Sequence, residues 1–165
     1  MPQLIAPAPA FEAAWREARA DWGPGIHEDG FGLRPEDDAD TSDGFAAWLR
    51  RLAADTGCSY RWILEDGRVL GGIALRHAHH PAVPRAGHLG YGLRPSARRQ
   101  GYAVWAVREM LAEARSLGLE QVLVICGRDN TASARTIERA GGTLAGNQAA
   151  GTNDGGRLRR YIIRT

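Results

Sequence analysis

From Gly101 to Leu117 apolar residues recur at helical spacing, with Val104, Val107, Met110, Leu111, Ala114 and Leu117 on one face and Gly118 as the stop. This is the strongest helix the chain encodes. A second amphipathic run carries Phe45, Trp48, Leu49 and Leu52, starts at a cap near Ser42 or Asp43 and stops at Gly57. Upstream, Pro9 stands where a helix can begin, Phe11 to Ala18 is rich in helix formers, and Gly23-Pro24-Gly25 ends the run. At Ser59 the period becomes that of strands. Tyr60 to Leu64 and Arg68 to Leu75 flank Glu65-Asp66-Gly67, the pattern of a β-hairpin with an Asp-Gly turn. His88 to Leu93 reads as a third strand whose glycines mark a bulge or a close backbone approach. Gln121 to Cys126 is a short buried strand, and Asn130 can cap a helix running to Ala140 before Gly141-Gly142. With a short strand at Gln3 to Ala6 and two more near Thr143 to Asn147 and Arg157 to Arg164, the order is β-α-α-β-β-β-α-β-α-β-β.

Composition narrows what this pattern can do. At 165 residues and 44% hydrophobic content, residues 1–165 are expected to form a single domain with a substantial core. All 21 basic side chains are arginine, so Schiff-base chemistry and lysine-dependent phosphate motifs are excluded. Two cysteines, Cys58 and Cys126, are too few for a disulfide framework and lack zinc spacing, so free thiols in a reducing cytoplasm are expected. No stretch reads as a signal peptide or a membrane span. The net charge of +2 hides a division: residues 1–66 hold 13 acidic and 6 basic side chains, residues 67–165 hold 6 acidic and 15 basic. An anionic ligand would favour the second half.

The informative segment is Leu93-Arg94-Pro95-Ser96-Ala97-Arg98-Arg99-Gln100-Gly101-Tyr102-Ala103, where a strand end passes through a basic turn into the long helix. Amides at a helix start lack intrahelical partners and the dipole there is positive, so a pyrophosphate suits it. Gly101 lets a phosphate approach, small Ala103 leaves room, and Arg98 and Arg99 add charge-assisted hydrogen bonds.

Here the chain resembles the GCN5-related N-acetyltransferase (GNAT) superfamily, whose acetyl-CoA signature Q/R-x-x-G-x-G/A is matched by Arg98 to Ala103. A strand ending in Leu93-Arg94-Pro95 precedes it, and Val122 to Cys126 followed by Asn130 and Ser133 supplies the family's second element. Residues 60–163 carry the likeness. It is nearest a bacterial subgroup of acetyltransferases with runs like Leu75-Arg76-His77, Gly87 to Tyr91 and Glu138 to Gly142. The resemblance implies an α+β fold with a mixed, mostly antiparallel central sheet, splayed between strands 4 and 5, and helices on both faces. Residues 1–58 would form N-terminal helices and an acceptor-side loop, and 59–165 the acetyl-CoA-binding core.

Carried over by position, the Leu93 and Arg94 backbone would bind the pantetheine arm. Arg98, Arg99, Gln100, Gly101, Tyr102 and Ala103 would hold the pyrophosphate, and Asn130 and Ser133 would touch the pantetheine from the other side. The implied reaction moves acetyl directly from the CoA thioester to a primary amine of a small molecule or peptide, with no metal. Many relatives place a tyrosine seven residues after the asparagine as acid for the thiolate, but this chain has Ile137. Ser133, Tyr91, Tyr161 or solvent could supply the proton, and His88 is the first choice of base because imidazole titrates near neutral pH.

Three further readings bear on partners. The acidic loop from Glu28 to Asp43 would attract a cationic acceptor, a role tested by Asp37 and Asp38. His77, His79 and His80 lack the spacing of a metal site, and the tryptophans are most simply core. Arg157, Arg159, Arg160 and Arg164 alternate on a strand as a solvated face rather than a nucleic-acid platform. The alternative to an enzyme is a non-catalytic CoA-binding module acting as a sensor or assembly partner. The acceptor and the oligomeric state, homodimer included, are open.

Overall fold

The computed structural model describes residues 1–146 and 158–165. Asn147 and Arg157, expected at the ends of the last two strands, lie outside the described residues. The elements follow the expected order with one addition, a one-turn helix between the third and fourth strands: β1 (Gln3–Ile5), α1 (Glu12–Trp22), α2 (Ser42–Ala54), β2 (Cys58–Glu65), β3 (Arg68–Arg76), the added α3 (Val83–Ala86), β4 (Leu89–Leu93), α4 (Tyr102–Ser116), β5 (Gln121–Gly127), α5 (Thr131–Arg139), β6 (Thr143–Gly146) and β7 (Leu158–Arg164). Short 3-10 turns at Pro9–Phe11 and Pro95–Ala97 lead into the chain's first and fourth helices.

Local chemistry explains most boundaries. Asp66 and Gly67 have φ of 49° and 76°, the pair of positive values a two-residue type I′ hairpin needs. Asn130 caps α5, its side chain accepting the Ser133 N–H at 3.0 Å. Three expectations are corrected. The cap of α2 is Thr41, whose hydroxyl accepts from Gly44 N–H. That helix ends at Ala54 rather than Gly57, because the Asp55 carboxylate takes the Gly57 N–H and turns the chain into β2. Leu117 is 49% exposed, lying past the last turn of α4 and off its buried face of Ala106, Val107, Met110 and Ala114.

The seven strands are ordered β1-β2-β3-β4-β5-β7-β6, antiparallel except between β4 and β5. One face packs on α4 and α5 through Ile73, Leu75, Leu89, Val107, Met110, Val124 and Ile137. The other packs on α1 and α2 through an aromatic cluster in which Trp15 lies 5.0 Å from Trp48, and Trp48 5.9 Å from Trp62. Trp15, Trp48 and Trp62 are core, and Trp22 and Trp105 are partly buried against it. No helix among the described residues is long and apolar enough to cross a membrane.

One ionic clamp ties the N-terminal helix to the central sheet. Arg94, at the end of β4, is only 5% exposed. Its Nε donates to Asp21 at 2.7 Å and its Nη2 to Glu17 at 3.0 Å, while Asp21 also accepts from the Ser96 hydroxyl. These partners hold the Asp21 carboxyl down at about 2, Ser96 first and Arg94 next. Because the folded pKa is depressed, this stabilisation is complete above the ordinary carboxylate value of about 4 and is lost as the pH falls through about 2. Asp21→Ala leaves a buried guanidinium short of a partner. In urea denaturation it should cost about 2 kcal/mol, below the roughly 3–5 kcal/mol of a fully buried pair because Glu17 keeps its hold.

Candidate active site: a wedge between two parallel strands

The sheet opens where the one parallel pair among the described residues should continue. β4 and β5 are in register at a single pair, Leu89 with Val124, and the ladder goes no further. Arg76 N–H donates to His88 O at 2.7 Å and Arg94 N–H to Leu70 O at 2.8 Å. Antiparallel residues alternate in direction, so the backbone groups of Tyr91 and Leu93 face away from β3, into the opening. Two strands that diverge after one pair leave a wedge with main-chain donors along its edge.

His88 fastens the closed end. Its N–H donates to Leu123 O at 2.7 Å and its Nδ1 accepts the Leu123 N–H at 2.8 Å. An Nδ1 that accepts belongs to the neutral tautomer with hydrogen on Nε2, so the ring has no lone pair free for a proton. Burial, with the Arg76 charge, pushes its pKa below the usual imidazole value. The expected base is therefore a strand-to-strand tie, and no catalytic role is carried forward for it.

Tyr91 and Ser133, by contrast, are brought together. Tyr91 projects from β4 toward α5, and its hydroxyl lies 2.9 Å from Ser133 Oγ across the wedge. Burial is the main cause that pushes the Tyr91 phenol up to about 12, so it stays protonated across ordinary pH. Ile137, at the position where relatives carry a tyrosine, is fully buried in the core. Tyr161 is also buried, its hydroxyl bonded to Glu138 at 2.9 Å, so its proton is committed there. Cys126, on β5, is a free thiol whose pKa burial raises. Sequence reasoning did not place it at the wedge, although its alternation on a buried strand was visible.

At the open end, the turn from Arg98 to Gly101 leads into α4. Arg98 Nε donates to Leu93 O at 3.0 Å, and Gln100 Nε2 to Ser96 O at 3.1 Å. Arg99 and Gly101 have φ of 62° and 89°, which turn successive amides outward, and no side chain caps the helix. A Cβ on Gly101 would meet nothing within 4 Å. Exposed Arg98, Arg99 and Gln100 surround this empty, amide-lined space, while Tyr102 turns away to bond Glu65. Asn130, at the far lip, spends its side-chain oxygen on the α5 cap. Arg94 stands differently from the expectation: its N–H is taken by Leu70, its carbonyl accepts the Ala97 N–H, and its side chain is held by Asp21 and Glu17, so it offers the wedge no free N–H.

On the other face, residues 28–31 cross the central strands. Asp29 O accepts the Gly72 N–H at 3.1 Å, and the buried Asp29 carboxylate accepts the Phe31 N–H at 2.9 Å. A Cβ on Gly92 would stand 2.1 Å from Glu28 O, and one on Gly30 2.2 Å from Gly72 O. On β4 it is Gly92 that marks this close approach, whereas Gly90 meets only the Arg76 guanidinium at 3.8 Å. Asp37 and Asp38 are elsewhere: Asp37 pairs with Arg51 and accepts the Arg34 N–H, and Asp38 accepts from the Thr41 hydroxyl.

The histidine cluster lies at the opposite end of α4, about 22 Å along the helix axis from the turn. A groove of about 850 Å³ there is lined by Asp55, His77, His79, His80, Leu117 and Leu119, among others. His77 Nε2 meets Ser59 Oγ at 2.9 Å and His80 Nδ1 accepts the Ala82 N–H at 3.1 Å. Among the described residues no three His, Cys, Asp or Glu side chains converge as ligands.

Solved structures share this architecture. The microcin C7 self-immunity acetyltransferase MccE, solved with acetyl-CoA and AMP, is 15% identical with a TM-score of 0.69, covering 99% of this chain and 92% of its own. The spermidine N-acetyltransferase of Vibrio cholerae, solved with CoA and spermine, is 14% identical with a TM-score of 0.70, covering 99% and 95%. At these identities the likeness is one of fold. No curated protein matches the sequence. A family model for the acetyltransferase (GNAT) domain matches residues 6–143, from the end of β1 to the start of β6. That span takes in the diverging strands and the amide-lined turn alike, and the chain belongs to the GNAT acetyltransferase family.

Proposed function

We propose that residues 1–165 act as one unit, an acetyl-CoA-dependent N-acetyltransferase that moves the acetyl group directly to a primary amine. The observation that carries this reading is the wedge: one paired residue between β4 and β5, then outward-facing main chain at Tyr91 and Leu93. A pantetheine arm is an extended amide chain of the kind that adds to such an edge. The Arg98–Ala103 turn offers its outward amides, and Arg98 and Arg99 their charge, to the pyrophosphate. Acetyl-CoA and CoA in the two related structures support the same ligand here.

The reaction needs a donor for the thioester carbonyl, a deprotonated amine and a proton for the departing thiolate. The Leu93 N–H, facing the wedge, suits the first. Tyr91 suits the third, because a phenol held at about 12 and bonded to Ser133 is protonated at every working pH. The amine nitrogen forms its bond to the carbonyl carbon and gives up a proton to solvent, the C–S bond breaks, and sulfur takes the Tyr91 proton, which is replaced from solvent through Ser133. An acyl-cysteine route through Cys126 has little support, since burial keeps its thiol from ionising.

Free-thiol release measured with polyamines, aminoglycosides, amino acids and lysine peptides tests the reading. At least one class should release CoA well above the hydrolytic background. Release from none, with CoA still bound, would instead support a sensor or assembly module. Residues 1–165 hold no lysine, so acetyl-lysine found in such an assay comes from substrate rather than from them.

A further inference from the structure

The central sheet is two paired units that meet at one place. β1 to β4 form the first and β5, β7 and β6 the second, and among the described residues their strands pair only at the root of the wedge, through Leu89 with Val124 and an isolated bridge of Gly87 to Val124. The approach there is close, since a Cβ on Gly87 would stand 2.7 Å from Leu123 O. Whatever fixes residues 87–89 against 123 and 124 sets the angle at which β4 leaves β5.

Main chain alone does not complete this junction. His88 O is turned to β3 and accepts the Arg76 N–H, so residue 88 gives β5 a main-chain donor, to Leu123 O, but no acceptor. The N–H of half-buried Leu123 finds one in the His88 ring, whose Nδ1 lies 2.8 Å away. Arg76 braces the same residues from β3, its Nη1 donating to Gly87 O at 3.1 Å. A proton on Nδ1 would set donor against donor and break the tie. Arg76 is the charge that acts on the ring, β5 meets it with main chain, and of the other charged groups nearby Arg85 of α3 is exposed, Arg160 of β7 is held at Pro84 O and Glu28 lies over Gly92. Burial is the main cause that holds the imidazole below its usual value, and Arg76 adds to it against an opposite pull from the Leu123 main chain.

We infer that His88 is a positioning residue for acetyl-CoA: neutral, its Nδ1 holds β4 to β5 at the root and so sets the opening that the pantetheine arm enters, and a proton on that nitrogen releases it. This rests on the acetyltransferase reading above, which seats the cofactor in the wedge. Affinity for CoA is then full while the ring is neutral. It falls as the pH drops through the pKa of the folded ring, which lies below the usual imidazole value of about 6.5.

Calorimetry with CoA between pH 8 and pH 4.5, on wild type, His88→Asn and His88→Leu, tests the assignment without requiring turnover. Asparagine places an amide oxygen where Nδ1 stands and does not take up a proton, whereas leucine removes the acceptor. At pH 8 His88→Asn should bind CoA within about twofold of wild type and His88→Leu about tenfold or more weakly, the cost of leaving the Leu123 N–H unpaired. Wild type and His88→Asn should share whatever pH response the CoA phosphates bring, and wild type alone should lose about a further threefold or more by pH 4.5. That extra loss should share its midpoint with the His88 ring titration followed by NMR. Should His88→Leu not fold, the two remaining profiles decide. Parallel profiles for wild type and His88→Asn, or a His88→Leu that binds CoA as wild type does at pH 8, overturn the assignment. Failure of CoA to bind the wild type at pH 8 overturns the acetyltransferase reading instead, and the inference falls with it.

Discussion

Tyr91→Phe should lower kcat by about a hundredfold or more while leaving acetyl-CoA affinity unchanged, since positioned general acids contribute roughly 10²–10⁴. The phenol is the one hydroxyl that β4 brings to the wedge, and its bond to Ser133 Oγ at 2.9 Å gives it both an orientation and a route for reprotonation. The substitution keeps the ring that packs against the core, so folding should lose only the hydrogen bond, about 1 kcal/mol. Ser133→Ala keeps the acid but removes its relay, and its kcat should fall less. Restoring the familiar tyrosine at position 137 should not rescue Tyr91→Phe, because Ile137 is fully buried and a phenol there would have to displace the core. A Tyr91→Phe enzyme with unchanged kcat would assign the proton to solvent.

Gly101→Glu should weaken acetyl-CoA binding by at least about a hundredfold. The glycine sits at φ 89° in the turn, where a side chain would project into open space now lined by unpaired amides. A carboxylate there satisfies those amides itself and repels the pyrophosphate. Gly101→Ala separates the two parts of the effect. It carries the left-handed backbone strain, about 1–2 kcal/mol, but no charge, and should weaken binding far less. Both variants should melt cooperatively, because the position is exposed and touches nothing.

Elements set by nearby residues were legible before the structure. The Asp66-Gly67 turn, the Asn130 cap and, Leu117 excepted, the α4 face are decided within a few residues and stand where their patterns put them. Distant partners decide the rest. The Arg94 backbone, expected to meet the pantetheine arm, instead gives its N–H to Leu70, and Asp21, 73 positions earlier, draws its side chain into the interior. The glycines of β4 signalled a bulge or a close approach, which proves to be an approach at Gly92 alone, and nothing local identified residues 28 and 29 as what approaches. His88 beside glycines resembles a base until Leu123 claims its lone pair, and Tyr91 gains its role only from Ser133, 42 positions away.

Acetyl-CoA titrated into the wild-type protein by calorimetry tests the central claim most directly. The account predicts saturable binding at one site per chain, with the affinity lost in Gly101→Glu and kept in Tyr91→Phe. No heat of binding at millimolar acetyl-CoA, or equal binding to wild type and Gly101→Glu, would contradict it.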